Sequence, residues 1–210
     1  HANMMPLAFG LVPQDRRKSV SDFVVSRGMK CSVYGSQYLL EALYEAGRAD
    51  AALKLMTSQD VRSWHNMLRA GSTIAMEAWD DRFKPNQDWN HAWGGAPANI
   101  IARYLMGVRP LAPGFARAIV QPQPGGLERA SAVVPTIRGP IEASFEAAPG
   151  KPFRLSVAIP ANMTATLAVP AGEGLSTTVT LDGKPAEARR EGGSLLVENV
   201  ASGRHTLVGP

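Results

Sequence analysis

The 210-residue sequence contains one cysteine, Cys31. A lone thiol excludes an internal disulfide and any cysteine cage for a metal. No His or Asn pattern near Cys31 suggests a nucleophile, so it reads as a small core residue. The sequence also lacks an apolar run near the roughly 18 residues that a membrane helix needs, so no membrane partner is expected. Charge of one sign is nowhere concentrated. The formal net charge is +4, but Lys and Arg are scattered. The one dense cluster, Arg16-Arg17-Lys18, reads as a solvated helix face, and no nucleic-acid partner is expected. No two His residues have metal-ligand spacing, and Gly94-Gly95 stands without the rest of a phosphate-binding loop. The expectation is therefore no metal and no cofactor. The opening residues, His1-Ala2-Asn3-Met4-Met5-Pro6, show neither an initiating Met nor the basic head and apolar middle of a signal peptide. The expectation is a segment of a longer protein.

What is present divides into two parts. Up to about residue 110 the pattern is helical. Residues 19–27 place Val20, Phe23 and Val24 on one face and stop at Gly28. Residues 36–46 carry Tyr38, Leu39, Ala42, Leu43 and Ala46, with Gly47 where a left-handed C-cap belongs. Residues 50–56 form a further helix with Asp50 as N-cap. Residues 97–106 start on Pro97 and end before Gly107. Short amphipathic helices joined by Gly-rich turns suggest a helical array or an α/α barrel.

From about residue 115, short β-type runs alternate with turn residues: 118–120, 132–134, 141–145, 154–159, 164–169, 177–181, 195–197 and 205–208. Asp182-Gly183 is a hairpin-turn pair. Strands at this spacing describe an antiparallel β-sandwich. Pro110, Pro113 and Gly114 mark the join, giving domains of residues 1–112 and 113–210 in an α+β multidomain chain. The second part holds no Trp, and its aromatics are Phe115, Phe145 and Phe153. Without an aromatic platform it reads as a structural cap and not as a carbohydrate-binding module.

All four tryptophans fall between residues 64 and 93. Trp79, Trp89 and Trp93 share their stretch with Glu77, Asp80, Asp81, Asp88 and His91. So many large aromatics in one loop must pack inward or hold a ligand. Sugars suit this mixture, since their C–H faces stack on indoles and their hydroxyls seek Asp, Asn, Arg and His. Cleaving a glycosidic bond takes two carboxyl groups, one on each side of it. Chemistry alone leaves a lectin-like site or a plain core open. Asp80, Asp81 and Asp88 read as caps or as ion-pair partners of Arg82 and Lys84, and Glu77 has a competing reading as a partner of Arg82 or Arg69. His65 and Trp64 read as structural.

Five words narrow the choice: AFGLVP (8–13), YGSQYLLEALYEAGRADAALKLM (34–56), SWHNMLRAGSTIAMEAWD (63–80), DWNHAWGGAPANIIARYLMGVRPLAPGF (88–115) and VVPTIRGPIEASF (133–145). In this order they resemble the end of the catalytic domain and the C-terminal domain of family 78 bacterial α-L-rhamnosidases, over roughly residues 1–150. The resemblance implies the last part of an (α/α)₆ barrel followed by a β-sandwich, and an inverting hydrolysis of terminal α-L-rhamnosyl bonds. The family's general base is the Glu of Gly-x-Thr-x-x-x-Glu-x-Trp, which falls on Glu77. A His that helps to bind rhamnose falls on His91, fourteen residues further on, a short spacing that fits a compact variant. Trp79, Trp89 and Trp93 are the candidate sugar-stacking residues. The family's general acid belongs to earlier barrel segments, so the implied partners are a rhamnose-containing glycoside or polysaccharide and an N-terminal part of the same protein. Two other readings stay open: a non-catalytic carbohydrate-binding or structural module, and an α/α-barrel enzyme for another deoxy sugar. A lyase fits poorly, because the loop supplies no Tyr or Lys base with a carboxylate-neutralising cluster.

Overall fold

The computed structural model describes residues 1–172 and 178–210. They form two compact units, His1–Ile100 and Ile101–Pro210.

The first unit is helical: α1 (Met4–Ala8), α2 (Arg17–Arg27), α3 (Ser36–Glu45), α4 (Ala49–Met56), α5 (Trp64–Arg69) and α6 (Ala96–Ile100). Helix α3 is the hub, packing on α1, α2, α4 and α6. Its run of Leu, Ala, Glu and Gln favours helix without β-branched residues, and it buries Leu39, Leu40, Ala42, Leu43 and Tyr44. A Schellman motif ends it. The Arg48 amide donates to the Leu43 carbonyl at 2.8 Å and the Gly47 amide to the Tyr44 carbonyl at 3.0 Å, with Gly47 at φ +71°.

Two local expectations are corrected. Asp50 is not the cap of α4: the helix starts one residue earlier, after Arg48, and Asp50 lies in its first turn. On α2 the inward residues are Ser21 and Val24, whereas Phe23 is 49% exposed. Ser21 and Val24, three residues apart, share one helix face, and Phe23 projects off it. The 97–106 helix also differs. It is α-helical through Ile100 and continues from Ile101 to Leu105 as a π-turn, closed by the Met106 amide on the Ile101 carbonyl at 2.8 Å.

The second unit has eleven strands among the described residues. A five-stranded sheet contains, in spatial order, β1 (Val108–Pro110), β2 (Arg117–Val120), β6 (Thr164–Pro170), β10 (Ser194–Val200) and β9 (Arg189–Glu191). A six-stranded sheet runs β3 (Arg129–Val134), β4 (Ile141–Glu146), β5 (Arg154–Ile159), β11 (Gly203–Val208), β7 (Val179–Leu181) and β8 (Lys184–Ala186). The eight expected runs are all strands, although Thr177, the expected start of one, lies outside the described residues. The three short strands β1, β8 and β9 complete the sheets.

Alternating burial along β4 and β5 marks one core face on each. Strand β6 lies between β2 and β10 and buries Leu167, Ala168 and Val169 in succession. Asp182 (φ +53°) and Gly183 (φ +78°) form the two-residue turn between β7 and β8, with left-handed backbone at both positions. One pairing departs from a purely antiparallel sandwich: β2 and β6 are parallel. The chain leaves this sheet after β2, runs three strands in the other sheet, and re-enters beside β2 in the same direction.

Candidate active site

The segment between α5 and α6 has little regular structure, yet side chains and a few backbone bonds define it. The Glu77 amide donates to the Asp88 carbonyl at 2.9 Å and the His91 amide to the Ala75 carbonyl at 2.7 Å, so the two sides of the loop run against each other. Two turns fill the span between them. The Phe83 amide reaches the Asp80 carbonyl at 3.0 Å, and Asp80 Oδ1 accepts the Arg82 amide at 3.1 Å, an Asx turn. The Gln87 amide then reaches the Lys84 carbonyl at 3.2 Å, with Pro85 at the second position, where its fixed φ favours a turn. Gln87 is buried and ties the turns together. Its Oε1 accepts the Ala78 amide at 2.7 Å and its Nε2 donates to Asp81 Oδ1 at 2.8 Å.

Glu77 sits at the open side of this frame, its side chain 26% exposed. Lys84 Nζ donates to Oε1, and the Asp88 amide donates to Oε2 at 3.2 Å. The Lys84 contact and then the Asp88 amide hold the carboxyl below its ordinary range, with a smaller contribution from His91. Glu77 is therefore ionised at neutral pH. Asp80 is pulled down to about 2 by the Arg82 amide first, then by Asn66 and the Arg82 guanidinium. Neither carboxyl is suited to donate a proton. The expected pairing of Asp80 with Arg82 is present at 2.9 Å, whereas Lys84 binds Glu77 and not an aspartate, and Arg69 binds the Gln59 carbonyl and Asn66.

The tryptophans separate into inside and outside. Trp79 is 2% exposed. Its indole N–H donates to the Cys31 carbonyl at 2.8 Å, and its ring meets Trp64 edge-to-face at 5.0 Å. Trp79 thus has no free face for a sugar, and its placement corrects the expectation of a stacking wall. Trp64 is held by its own N–H on the Gly94 carbonyl at 2.7 Å. Trp93 is 61% exposed, stacks on the His91 ring at 5.3 Å with 17° between planes, and meets Tyr34 edge-on at 5.7 Å. Trp89 is also exposed, with its N–H 3.4 Å from Asp81 Oδ1.

Gly94 allows the loop to close. A Cβ there would lie 2.6 Å from Ala75 Cβ and 2.9 Å from Val33 Cγ1. Cys31 is buried and its thiol is pushed up to about 11 by desolvation, so it offers no nucleophile at neutral pH. Three residues of the loop and its surroundings went unassigned in the sequence: Lys84 as the partner of Glu77, Gln87 as the buried tie, and Tyr34 beside Trp93. Pro85 directly after Lys84 was the available signal for the first two.

Residues 1–105 match the family model of the bacterial α-L-rhamnosidase 6 hairpin glycosidase domain, and residues 107–183 that of the bacterial α-L-rhamnosidase C-terminal domain. The chain belongs to the bacterial α-L-rhamnosidases. An α-L-rhamnosidase of Alteromonas sp. (strain LOR) is 29% identical over 184 residues, which is 81% of this chain and 20% of that protein. The chain thus spans about a fifth of the length of this curated relative. The α-L-rhamnosidase of Dictyoglumus thermophilum superposes with a TM-score of 0.82 at 24% identity, covering 99% of this chain and 25% of that one. A Streptomyces avermitilis α-L-rhamnosidase, solved in complex with L-rhamnose, gives a TM-score of 0.80 at 24% identity, over 100% of this chain and 21% of that one. These likenesses fix the architecture of the rhamnosidase segment: the end of a six-hairpin helical domain followed by a β-sandwich.

Proposed function

We propose that this rhamnosidase segment carries the general base of an inverting glycosidase that removes terminal α-L-rhamnose, and that Glu77 is that base. In this reading the helical unit closes an (α/α)₆ catalytic barrel and the second unit, whose first strand is Val108–Pro110, forms the sandwich that follows it. The observation that carries the proposal is the state of Glu77: ionised, held at both oxygens, and partly open to solvent, with His91 nearby and the exposed Trp93 stacked on the His91 ring. The bound L-rhamnose in the Streptomyces avermitilis neighbour supports the choice of sugar.

The chemistry follows from the charge state. A water on the far side of the ring gives a proton to the Glu77 carboxylate while its oxygen bonds to the anomeric carbon. The glycosidic C–O bond breaks, and its electron pair leaves on the departing oxygen, which a general acid protonates. That acid must be a protonated carboxyl about 6.5–9.5 Å from Glu77 to leave room for the water. Neither Glu77 nor Asp80 suits that role, and the resemblance to the rhamnosidases implies that the acid lies on a barrel segment outside this chain. His91 contacts a sugar hydroxyl, and Trp93 and Trp89 contribute exposed indole faces, while Trp79 supports the loop from within.

The test is Glu77→Gln in the full-length enzyme, assayed on an aryl α-L-rhamnoside. The expected result is a fall in kcat of at least about 10²–10⁴-fold with the circular dichroism spectrum unchanged. Near-parental turnover would remove Glu77 from the mechanism.

A further inference from the structure

The two oxygens of Glu77 have different partners, Lys84 on Oε1 and the Asp88 amide on Oε2. A carboxylate oxygen has two lone pairs, so each oxygen keeps one for a further donor. The position of Lys84 is set on both sides. Phe83 before it lies under the Arg62 guanidinium, 4.4 Å from the ring centroid. Pro85 after it fixes the turn that the buried Gln87 closes. The Lys84 side chain is nevertheless 42% exposed. Ion pairs at this exposure contribute little to stability, so stability gives small reason for a loop that holds this lysine so firmly.

We propose that Lys84 is a positioning residue for the Glu77 carboxylate, fixing Oε1 so that Oε2 meets the attacking water. The inference rests on the reading of Glu77 as the general base. The charged groups that act on Glu77 are Lys84 and His91, while Asp88 meets it through its backbone N–H. When the proton of water passes to Glu77, the carboxylate loses its charge and its contact with Lys84 weakens. Lys84 therefore lowers the basicity of Glu77 and in exchange keeps it ionised and correctly turned at lower pH.

The sign is fixed. Removing the ammonium raises the carboxyl towards its ordinary value, so the acid limb of kcat/KM must move to higher pH. The experiment measures kcat and KM against pH on an aryl α-L-rhamnoside for the full-length enzyme, K84M and K84R, with E77Q alongside. In K84M the acid limb is expected to move to higher pH, towards that of an unpaired carboxyl. The plateau kcat should fall about tenfold, with KM changed less than about twofold, because an unanchored carboxylate spends less time in the orientation that meets the water. K84R, which keeps the charge and a donor, should return the limb to its parental position. Should K84M melt below the assay temperature, K84Q carries the same test. An unmoved acid limb in a folded Lys84 variant, with E77Q inactive, overturns the role of Lys84 and leaves Glu77 as base. An active E77Q overturns the reading beneath both.

Discussion

Glu77 and Asp88 are joined twice: the Glu77 amide donates to the Asp88 carbonyl at 2.9 Å, and the Asp88 amide donates to Glu77 Oε2 at 3.2 Å. The first bond sets the backbone register of the loop and the second sets the carboxylate rotamer. A carboxylate oriented by a backbone amide loses less entropy on binding its next donor than a freely rotating one would. The loop can therefore be irregular in backbone and still hold one side chain in a defined place.

Trp79 and Trp93 should separate stability from binding. Trp79→Phe keeps an aromatic ring but strips the N–H from the Cys31 carbonyl and leaves part of the indole's volume empty, and should cost about 1–3 kcal/mol in urea unfolding. The affinity of the full-length enzyme for L-rhamnose, measured by calorimetry, should stay within about twofold of the parent, since the site is built on other groups. Trp93→Ala should do the reverse, with stability within about 0.5 kcal/mol and sugar binding about tenfold weaker, or about 1.4 kcal/mol. Equal losses of affinity in both variants would return Trp79 to the sugar site.

Gly94 is required by close approach. Its Cβ would meet Ala75 Cβ at 2.6 Å and Val33 Cγ1 at 2.9 Å, while the Met76 carbonyl oxygen would lie 3.1 Å away. Gly94→Ala should lose about 1–3 kcal/mol by overpacking, read as a lowered thermal midpoint. The same change at Gly193, where nothing lies within 4 Å of a Cβ, should leave the midpoint within about 2 °C of the parent.

Asp80 gives a pH signature. Its folded carboxyl titrates at about 2, below the ordinary 3.8. A depressed carboxyl stabilises the fold fully above its unfolded value, and the contribution is lost as pH falls through the folded one. The loop should therefore weaken between about pH 4 and pH 2. Asp80→Asn, unable to ionise, should be less stable at neutral pH and flatter across that interval in acid denaturation. A parallel pH dependence in the two proteins would exclude this contribution.

Much of the architecture was readable from residue order. The helical pattern of α3 and its Gly47 stop, the eight expected strand runs and the Asp182-Gly183 turn depend on local rules, and local rules act on neighbours in the chain. The misreadings share a different cause. Apolarity points Phe23 to the buried face of α2, but that face carries Ser21 and Val24 instead. Asp50 has the right chemistry for a cap, yet the helix begins at Ala49. The parallel pairing of β2 with β6 joins strands separated by three others. Periodicity within either strand carries no record of it.

At the loop, the sequence by itself determined which residues are gathered: a carboxylate, a histidine and three indoles between residues 77 and 93, in words that mark the rhamnosidase family. Only the tertiary structure decided which way each faces. Trp79 turned inward because the Cys31 carbonyl, 48 residues away, needed a donor. Trp93 remained outside on His91, and Lys84 reached Glu77 because the Pro85 turn brought it back across the loop. Composition and spacing fix the groups available to a site. Burial and hydrogen-bond satisfaction, which depend on residues far along the chain, determine how those groups are used.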